Sequence, residues 1–343
     1  MNDNTSFSEF NFIHSLQCLS SVHHPWVDTG IGDDCAVLAL PNGRCLLLTT
    51  DMLINRVHFQ LKTLTPFELG WKSLAVNLSD IAAMGGRPVC FLLSLGLTPK
   101  LPAHFFDEFK QGLFACANTY QVDLVGGDTV ISRTDLCLNL TVVGESETVH
   151  LLRRSGAQNG DIIVLGRPTG ESAAGLHIVL ENPPRVPPQT AKVLRKAHLQ
   201  PTPQLELGQM LAQEGLASAA IDVSDGLLQD LSHICEQSGL GAEIDAHAVP
   251  LSDALVAFAH VTGVHALDLA LAGGEDYALL FCVPMDRLER CKELAQQQLG
   301  CELYPIGHMC KQKGLWLSTP AGLQPIAPKG YDAFREGLQE RKV

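Results

Sequence analysis

The sequence predicts two domains in which α-helices and β-strands are mixed, covering residues 1–150 and 151–343. A chain of 343 residues is long enough for two domains of ordinary size. Its 46% hydrophobic and 18% charged residues are typical of a globular protein. Predicted strands and helices alternate after residue 150, which favours an α/β or α+β arrangement there.

The N-terminal half is predicted to contain two helices and several strands. The helices cover 7–19 and 65–84, and the strands cover 44–50, 135–144 and a segment ending at 125. The second helix has the clearest start, because Thr65 is an N-cap residue, Pro66 suits the first turn and Glu68 completes a capping box. Gly85-Gly86 is expected to stop it.

The C-terminal half reads as strands and helices in alternation. Predicted strands cover 161–165, 218–223, 241–244, 277–283 and 315–318, and predicted helices cover 171–180, 205–214, 225–237 and 287–298. A proline-rich loop is predicted over residues 182–189. The polar stretch before residue 161 is the expected domain junction.

Aspartates at the edges of apolar or glycine-rich stretches are the main chemical signal. They are Asp33, Asp34, Asp51, Asp80, Asp128, Asp222 and Asp225. A carboxylate beside an apolar run costs free energy to desolvate unless something compensates it. Converging carboxylates need a cation, and a hard divalent ion with oxygen ligands fits them best. The pattern therefore predicts magnesium and phosphate chemistry.

The helix over 65–84 carries one narrow polar stripe on a largely apolar surface. Ser73, Asn77 and Asp80 follow one another at spacings of four and three residues. We expect the helix to be mostly buried and the stripe to face a metal or a phosphate. The alternative is that Asp80 is a solvated residue near the helix end.

A strand-to-helix junction over residues 222–226 supports the same chemistry. Three backbone N–H groups at the helix start are expected to be free to bind an anion. Ser224 adds a hydroxyl, and Asp222 and Asp225 are spaced to share a metal. The alternative is that Ser224 or Asp225 caps the helix.

Other candidates are weaker when taken alone. Gly126-Gly127-Asp128 often marks only a turn, and a lone histidine such as His58 is more often packed than a ligand. Glu275 fits either a cationic substrate group or a solvated turn. Arg153-Arg154 fits either a phosphate clamp or a solvated pair at the domain junction.

Composition excludes several classes of protein. The 24 Lys+Arg against 37 Asp+Glu give a net charge of −13, which argues against nucleic acid and anionic membranes as partners. There is no apolar run of about 20 residues, and the N-terminus is too polar for a signal peptide. The 11 cysteines form no CxxC pair, so we expect free thiols and a cytoplasmic protein. P-loop, GxGxxG and protein-kinase signatures are missing.

Taken together, the motifs resemble one enzyme family along nearly the whole chain. In order they are Gly30-Ile31-Gly32-Asp33-Asp34, Thr49-Thr50-Asp51-Met52-Leu53, His58-Phe59, the segment 75–85, Gly126-Gly127-Asp128-Thr129, Asp222-Val223-Ser224-Asp225-Gly226-Leu227, Gly273-Gly274-Glu275-Asp276-Tyr277 and Lys329-Gly330-Tyr331-Asp332. This set resembles the thiamine-monophosphate kinase family, of the superfamily typified by aminoimidazole ribonucleotide synthetase.

The resemblance implies a fold and a reaction. The fold is a homodimer whose N-terminal α/β domains pair their sheets, with an α+β C-terminal domain on each subunit. The reaction transfers the γ-phosphoryl group of ATP directly to thiamine monophosphate, in line and without a phosphoenzyme. ADP and thiamine diphosphate are the products.

It also implies roles for individual residues. Several Mg²⁺ ions would be held by Asp34, Thr49, Thr50, Asp51, Asp80, Asp128, Asp222 and Asp225. The nucleotide would be contacted by Tyr120, Gly127, Asp128, Arg154 and Ser224. Thiamine monophosphate would meet His58, Glu275 and Tyr331. A carboxylate and an aromatic face suit its cationic thiazolium.

The chain departs from the family pattern at Cys35, Asn55-Arg56 and Ala278, none of which removes an implied metal ligand. Two alternatives stay open. One is a sister ATP-dependent synthetase of the same superfamily, although the first 30 residues offer only Cys18 and the chain ends in Arg341-Lys342-Val343 rather than in a reactive cysteine. The other is a non-catalytic homologue that binds metal or nucleotide.

Overall fold

The computed structural model describes residues 9–99 and 101–330, which form two β-sheets with helices packed against them. The strands of the first sheet are β1 (Val27–Thr29), β2 (Ala36–Ala39), β3 (Arg44–Ile54), β4 (Arg87–Leu97), β5 (Asp123–Ile131) and β6 (Cys137–Glu147). The strands of the second sheet are β7 (Ile162–Leu165), β8 (Ala219–Val223), β9 (Gly241–Asp245), β10 (Ala278–Val283), β11 (Tyr304–Cys310), β12 (Gly314–Thr319) and β13 (Gly322–Ile326).

The helices divide between the same two halves of the chain. Those of the first half are α1 (Glu9–Leu19), α2 (Pro66–Ala83) and α3 (Ala103–Tyr120). Those of the second half are α4 (Glu171–Glu181), α5 (Pro188–Leu199), α6 (Leu205–Gln213), α7 (Leu227–Ser238), α8 (Asp253–Thr262), α9 (Ala266–Ala272) and α10 (Leu288–Leu294). The mixed two-sheet architecture agrees with the fold class expected from the sequence.

The first sheet has the strand order β1-β2-β3-β6-β4-β5. β4 and β5 run parallel, and the other neighbouring pairs are antiparallel. The second sheet has the order β13-β12-β9-β11-β7-β10-β8, in which β9 and β12 are the parallel pair. β8 delivers Asp222 near its carboxyl end, at the edge of this sheet.

Helix α2 has the start that the sequence predicts. The Thr65 hydroxyl oxygen accepts from the Glu68 N–H at 3.2 Å, and the Glu68 carboxylate accepts from the Thr65 N–H at 2.7 Å. Most of the helix surface is buried, as predicted. α2 and α3 pack backbone to backbone at Gly70 and Gly112, where an added Cβ would lie 2.1 Å from the Phe109 oxygen and 1.9 Å from the Phe67 oxygen.

Two strands extend further than the sequence predicts. β3 continues to Ile54, so Asp51 lies inside it rather than at its end, because β3 pairs with β6 along its whole length. The strand expected to end at residue 125 runs on through Gly126-Gly127-Asp128 to Ile131, because β4 pairs with it over that length.

Several elements were not predicted. They are β1, β2, β4, α3, α5, α8, α9, β11 and β13. The start of α5 was hidden in the stretch predicted as a proline-rich loop, since Pro188 occupies its first turn, where proline is tolerated.

The two halves of the chain share one hydrophobic core. Leu78 of α2 and Leu138 of β6 belong to the same buried cluster as Leu211 of α6 and Phe281 of β10. A second cluster fills the space between the second sheet and its own helices. The 11 cysteines are free thiols. Within residues 9–99 and 101–330, no helix has both the length and the apolar character that a membrane crossing requires.

Candidate active site

A cavity of about 420 Å³ lies between the two sheets and is lined by both halves of the chain. The first half contributes β3, the segment after it and α2, through Asp51, His58 and Asp80 among others. The second half contributes the N-terminal part of α4, the β8–α7 junction and the segment 272–277. Glu9 of α1 also reaches the lining.

Three carboxylates from distant parts of the sequence meet beside this cavity, and we call them the carboxylate cluster. They are Asp34 before β2, Asp80 on α2 and Asp222 on β8. Each offers an oxygen atom, and these oxygens lie within 4.8 Å of one another. Asp34 is 8% exposed and Asp222 is 2% exposed.

The electrostatics of this cluster are unfavourable without a cation. Burial raises the pKa of Asp222 to about 7, and the negative charge of Asp34 adds to the shift. Burial, followed by the charges of Asp51 and Asp222, raises the pKa of Asp80 well above its ordinary value. The Oδ2 atom of Asp34 is buried without a hydrogen-bond partner among the described residues. Hard oxygen donors arranged in this way fit Mg²⁺.

Asp51 lies beside the cluster. It is two residues after Thr49 on β3, so its side chain is on the same face of the strand. Burial raises the pKa of Asp51 to about 6. Burial also raises the pKa of Asp33 to about 6, with the neighbouring charge of Asp34 as the second cause.

Hydroxyl and amide groups hold the carboxylates in place. Thr49 Oγ1 donates to Asp80 Oδ2 at 2.5 Å, and Ser79 Oγ donates to Asp222 Oδ2 at 2.6 Å. The second of these bonds joins α2 to the second sheet. Asn77 Oδ1 accepts from the backbone N–H of Asp51 at 3.0 Å, which fixes β3 against α2.

The polar stripe of α2 divides into two parts. Asp80 lines the cavity, as the functional interpretation requires, and is not a solvated helix-end residue. Ser73 Oγ instead donates to the Gly70 carbonyl, and Asn77 Nδ2 donates to the Ser73 carbonyl. These two residues are buried and support the backbone.

The two adjacent arginines point to different partners. Arg154 Nη2 lies 2.6 Å from Asp34 Oδ1, and although burial opposes it, this carboxylate raises the pKa of Arg154. Arg153 Nη2 lies 2.6 Å from Asp28 Oδ2 on β1. Arg154 therefore stands at the carboxylate cluster, whereas Arg153 fastens the domain junction to the first sheet.

The β8–α7 junction differs from the expected anion site. The N–H groups of Asp225 and Gly226 donate to Asp230 Oδ2 at 3.1 and 3.0 Å, so they are not free for a ligand. The N-cap of the helix is Gly226, and not Ser224 or Asp225. Both residues nevertheless line the cavity.

Asp230 and His233 were not singled out in the sequence. Together with Asp225 they form a second group whose ligand atoms lie within 4.8 Å of one another. Their spacing of three residues on one helix face was the available signal.

Four expected site residues lie outside both the cavity lining and the carboxylate cluster with the residues that contact it. Thr50 faces the opposite side of β3 from Asp51, and its hydroxyl donates to the Leu140 carbonyl at 2.9 Å. Gly127 and Asp128 lie on the exposed edge strand β5. Tyr120, at the end of α3, packs edge-on against Trp71 with ring centroids 6.2 Å apart.

Gly127 is required by strand packing in any case. Its φ is 151°, and a Cβ there would lie 1.8 Å from the Leu93 carbonyl oxygen of β4. Asp128 accepts the neighbouring Thr129 N–H at 2.9 Å.

The opposite end of the cavity contains two of the expected substrate residues. His58 Nδ1 accepts from the Ile54 N–H at 3.0 Å, which leaves Nε2 as the protonated nitrogen of a neutral ring. Glu275 lies 2.9 Å from Lys72 Nζ and 3.3 Å from His198 Nδ1. Tyr331 lies outside the described residues.

Lys72 and His198 were missed in the sequence. Lys72 is 2% exposed and His198 is 5% exposed, so Glu275 is not a solvated turn residue. A lysine in an otherwise apolar helix was a usable signal for Lys72, because a buried ammonium requires a partner. His198 lies on the helix that the proline-rich stretch concealed and gave no such signal.

Comparison with known families gives two matches that follow one another along the chain. The family described as AIR synthase related protein, N-terminal domain, matches residues 32–146. The family described as AIR synthase related protein, C-terminal domain, matches residues 158–317.

Among characterised proteins, the thiamine-monophosphate kinase of Salmonella typhimurium is 44% identical over 90% of this chain and 92% of its own length. The thiamine-monophosphate kinase of Bacillus subtilis is 35% identical over 95% of this chain and 99% of its own length.

Among solved structures, AaThiL complexed with AMPPCP and TMP aligns with a TM-score of 0.84 at 31% identity, covering 97% of this chain and 99% of that one. The thiamine-monophosphate kinase from Stenotrophomonas maltophilia aligns with a TM-score of 0.74 at 35% identity, covering 91% and 96%. The hydrogenase maturation protein HypE of E. coli has a TM-score of 0.68 at 20% identity over 95% of this chain and 100% of that one, a likeness of fold alone.

Proposed function

The chain belongs to the thiamine-monophosphate kinase family, and from this premise we propose that it transfers the γ-phosphoryl group of ATP to thiamine monophosphate. The products are thiamine diphosphate and ADP. The observation that carries the proposal is a single cavity with aspartates at one end and Glu275 with His58 at the other. One end suits metal-bound phosphates, and the other suits a cationic heterocycle.

Magnesium fits the carboxylate cluster. The unpartnered Oδ2 of Asp34 and the raised pKa values of Asp80 and Asp222 support a cation shared by these three residues. The further ligands that we propose are Thr49, Asp51 and Asp225. Thr50 and Asp128, which lie away from the cavity, are proposed as ligands on the family resemblance alone. When bound, the ions neutralise phosphate oxygens as charge moves during transfer.

The chain's own residues bind and orient the two reactants. Arg154 is placed to pair with a phosphate once a cation takes its share of Asp34, and guanidinium suits phosphate geometry. Ser224 offers a hydroxyl at the cavity wall. Gly127, Asp128 and Tyr120 are proposed ATP contacts on the family resemblance alone, since all three lie away from this cavity. His58, Glu275 and Tyr331 are proposed contacts of thiamine monophosphate.

Direct in-line transfer uses no nucleophilic side chain. Catalysis then depends on positioning the two reactants and on neutralising the charge of the phosphate oxygens. The acceptor is a phosphate oxygen, which is already ionised at neutral pH, so no side chain is needed to remove a proton from it.

We further propose a homodimer built on strand β5. All nine residues of this edge strand are exposed, and Val125, Val130 and Ile131 are 61%, 56% and 78% exposed. An apolar edge strand of this length is a template for pairing with another chain, and a second copy satisfies it. Light scattering of the purified protein, with Val125→Lys as the edge-blocking variant, tests this: a monomer in both would contradict it.

The division into domains 1–150 and 151–343 and a cytoplasmic location remain proposals. The two sheets fall on either side of the proposed boundary, and the free cysteines are those of a reducing compartment.

The activity is tested by incubating the protein with ATP, Mg²⁺ and thiamine monophosphate and separating the thiamine species by chromatography. We expect thiamine diphosphate from the monophosphate and none from unphosphorylated thiamine. Mg²⁺-dependent binding of ATP without any product would contradict the proposed acceptor and favour a sister synthetase or a non-catalytic homologue.

A further inference from the structure

Lys72 is a buried cation that the expected site does not include. It lies on α2, eight residues before Asp80, and is 2% exposed. Burying an ammonium costs several kcal/mol unless a carboxylate is held against it in good geometry. A lysine is therefore an expensive residue for simple packing at this position.

The partner of Lys72 is Glu275, which lines the cavity. Lys72 Nζ lies 2.9 Å from Glu275 Oε1, and His198 Nδ1 lies 3.3 Å from Glu275 Oε2. His198 Nδ1 also lies 3.1 Å from the Ser172 hydroxyl oxygen, which is its hydrogen-bond partner. Lys72 of α2 therefore holds one oxygen of Glu275, and His198 of α5 lies beside the other.

The backbone under Glu275 is strained. Glu275 has a φ of 63° and Tyr277 a φ of 49°, in the left-handed region that costs a non-glycine residue free energy. Their N–H groups donate to the carbonyls of Ser224 and Val223, each at 2.7 Å. The segment 273–277 is thereby tied to the β8–α7 junction at the carboxylate end, and to α2 through Lys72.

We propose that Lys72 is a positioning residue for the phosphate acceptor: it holds the Glu275 carboxylate at the cavity wall in the one orientation that contacts the acceptor's cationic ring. Glu275 is 29% exposed on its side chain, so part of the carboxylate stays available to a ligand while Lys72 holds the Oε1 atom. Lys72 acts through Glu275 and does not itself touch the acceptor. This inference rests on the proposed function, since it concerns the same acceptor.

The test is a cycle of Lys72→Met, Glu275→Gln and the double variant, assayed for KM of thiamine monophosphate, KM of ATP and kcat. We expect Lys72→Met to raise KM for thiamine monophosphate about tenfold and to leave KM for ATP within about twofold. In the double variant we expect the KM of Glu275→Gln alone, because Lys72 acts only through that carboxylate.

Lys110→Met is the matched control. Lys110 is 60% exposed on α3 and pairs with Asp107, so the same charge is removed away from Glu275. Lys72→Met leaves the Glu275 charge unpaired and could for that reason fail to fold. The double variant lacks both charges and avoids this problem. The comparison then runs between Glu275→Gln and the double variant, where an equal KM supports the inference and a further rise overturns it.

Three results would overturn the inference. They are an unchanged acceptor KM in Lys72→Met, a parallel loss for ATP and acceptor, and single-variant effects that multiply in the double variant. Each result is compared with a wild-type enzyme that makes thiamine diphosphate, so that it contradicts the role of Lys72 and leaves the proposed function standing. A wild type that makes no thiamine diphosphate overturns the proposed function, and this inference with it.

Discussion

The two ends of the cavity treat negative charge in opposite ways. At one end Asp34, Asp80 and Asp222 stand together, and burial and mutual repulsion raise the pKa of the latter two. At the other end Glu275 is half-buried, which alone would raise its pKa, yet the charge of Lys72 lowers it. At the first end Arg154 pairs with Asp34 and leaves the other two carboxylates without an ion-pair partner of their own among the described residues, whereas at the second end Lys72 pairs directly with Glu275.

The difference shows how one fold prepares two kinds of ligand site. Carboxylates that are compensated only in part store repulsion that a divalent ion would relieve, so the proposed metal site would gain affinity at the expense of stability. A compensated carboxylate stores none and keeps its position in the free protein. Breaking one end is therefore expected to differ in sign from breaking the other.

The largest effect is expected for Asp80→Asn, with turnover falling about 1000-fold because a metal ligand is neutralised. In the metal-free protein the same change should raise the melting temperature, since one of the repelling charges is removed. Steady-state kinetics and calorimetry measure the two effects. Asp107→Asn, an exposed carboxylate on α3, is the control, and retained activity in Asp80→Asn would refute the assignment.

The next largest effect is expected for Glu275→Gln, which should lower the free energy of unfolding by about 3 kcal/mol. The amide leaves the buried ammonium of Lys72 without a counter-charge. Urea denaturation at neutral pH measures the change. Glu289→Gln breaks an exposed pair with Lys292 and should change nothing measurable. A stabilised Glu275→Gln protein would erase the contrast between the two ends.

Ser79→Ala tests the orientation of the metal end without changing a charge. Its hydroxyl donates to Asp222 Oδ2 at 2.6 Å, and losing such a support typically weakens metal binding 10–100-fold, so we expect about tenfold. Titration of Mn²⁺ or Mg²⁺ by calorimetry gives the affinity. Ser79→Thr, which keeps the hydroxyl, is the control. Equal affinity in wild type and Ser79→Ala would show that Asp222 needs no such support.

The smallest effect concerns pH and His198. Burial, followed by the charge of Lys72, lowers the pKa of His198 to about 3, while Glu275 acts in the other direction and Arg195 adds to the lowering. Below the unfolded pKa of about 6.5 the unfolded chain binds a proton that the folded protein excludes, so stability falls with falling pH.

His198→Gln removes the group that takes up this proton in the unfolded chain, so the free energy of unfolding should depend less on pH. Between pH 6.5 and 5.5 we expect the wild type to lose about 1 kcal/mol more of its unfolding free energy than the variant loses. Urea denaturation at both pH values measures the difference. Parallel curves would show that His198 is not held neutral by its surroundings.

The sequence predicts the carboxylate end better than the Glu275 end. Asp34, Asp80 and Asp222 could be found because a charge beside an apolar run is locally conspicuous and metal sites collect such charges. The capping box at Thr65 was equally local, and the structure confirms it. The expectation that these residues share one site came from the family resemblance and not from their spacing in the sequence.

The missed features depend on contacts between distant residues. Lys72 pairs with Glu275, which lies about 200 residues later in the chain, and the sequence around Lys72 does not indicate that partner. The reach of β3 and β5 was underestimated because pairing with β6 and β4 extends each strand beyond its apolar pattern. The N–H groups at residues 225 and 226 were expected to be free, but Asp230 reaches back from the next turn of α7 to take them.

Helix α2 sets the distance between the two ends of the cavity. It carries Lys72 for one end and Asp80 for the other, and at 1.5 Å per residue these eight steps set a span of about 12 Å. The close approach of Gly70 and Gly112 keeps the helix from sliding along its neighbour. Inserting one residue between Lys72 and Asp80 would turn one end about 100° away from the other. The separation between the two ends of the cavity is therefore set by the rise per residue of a single helix.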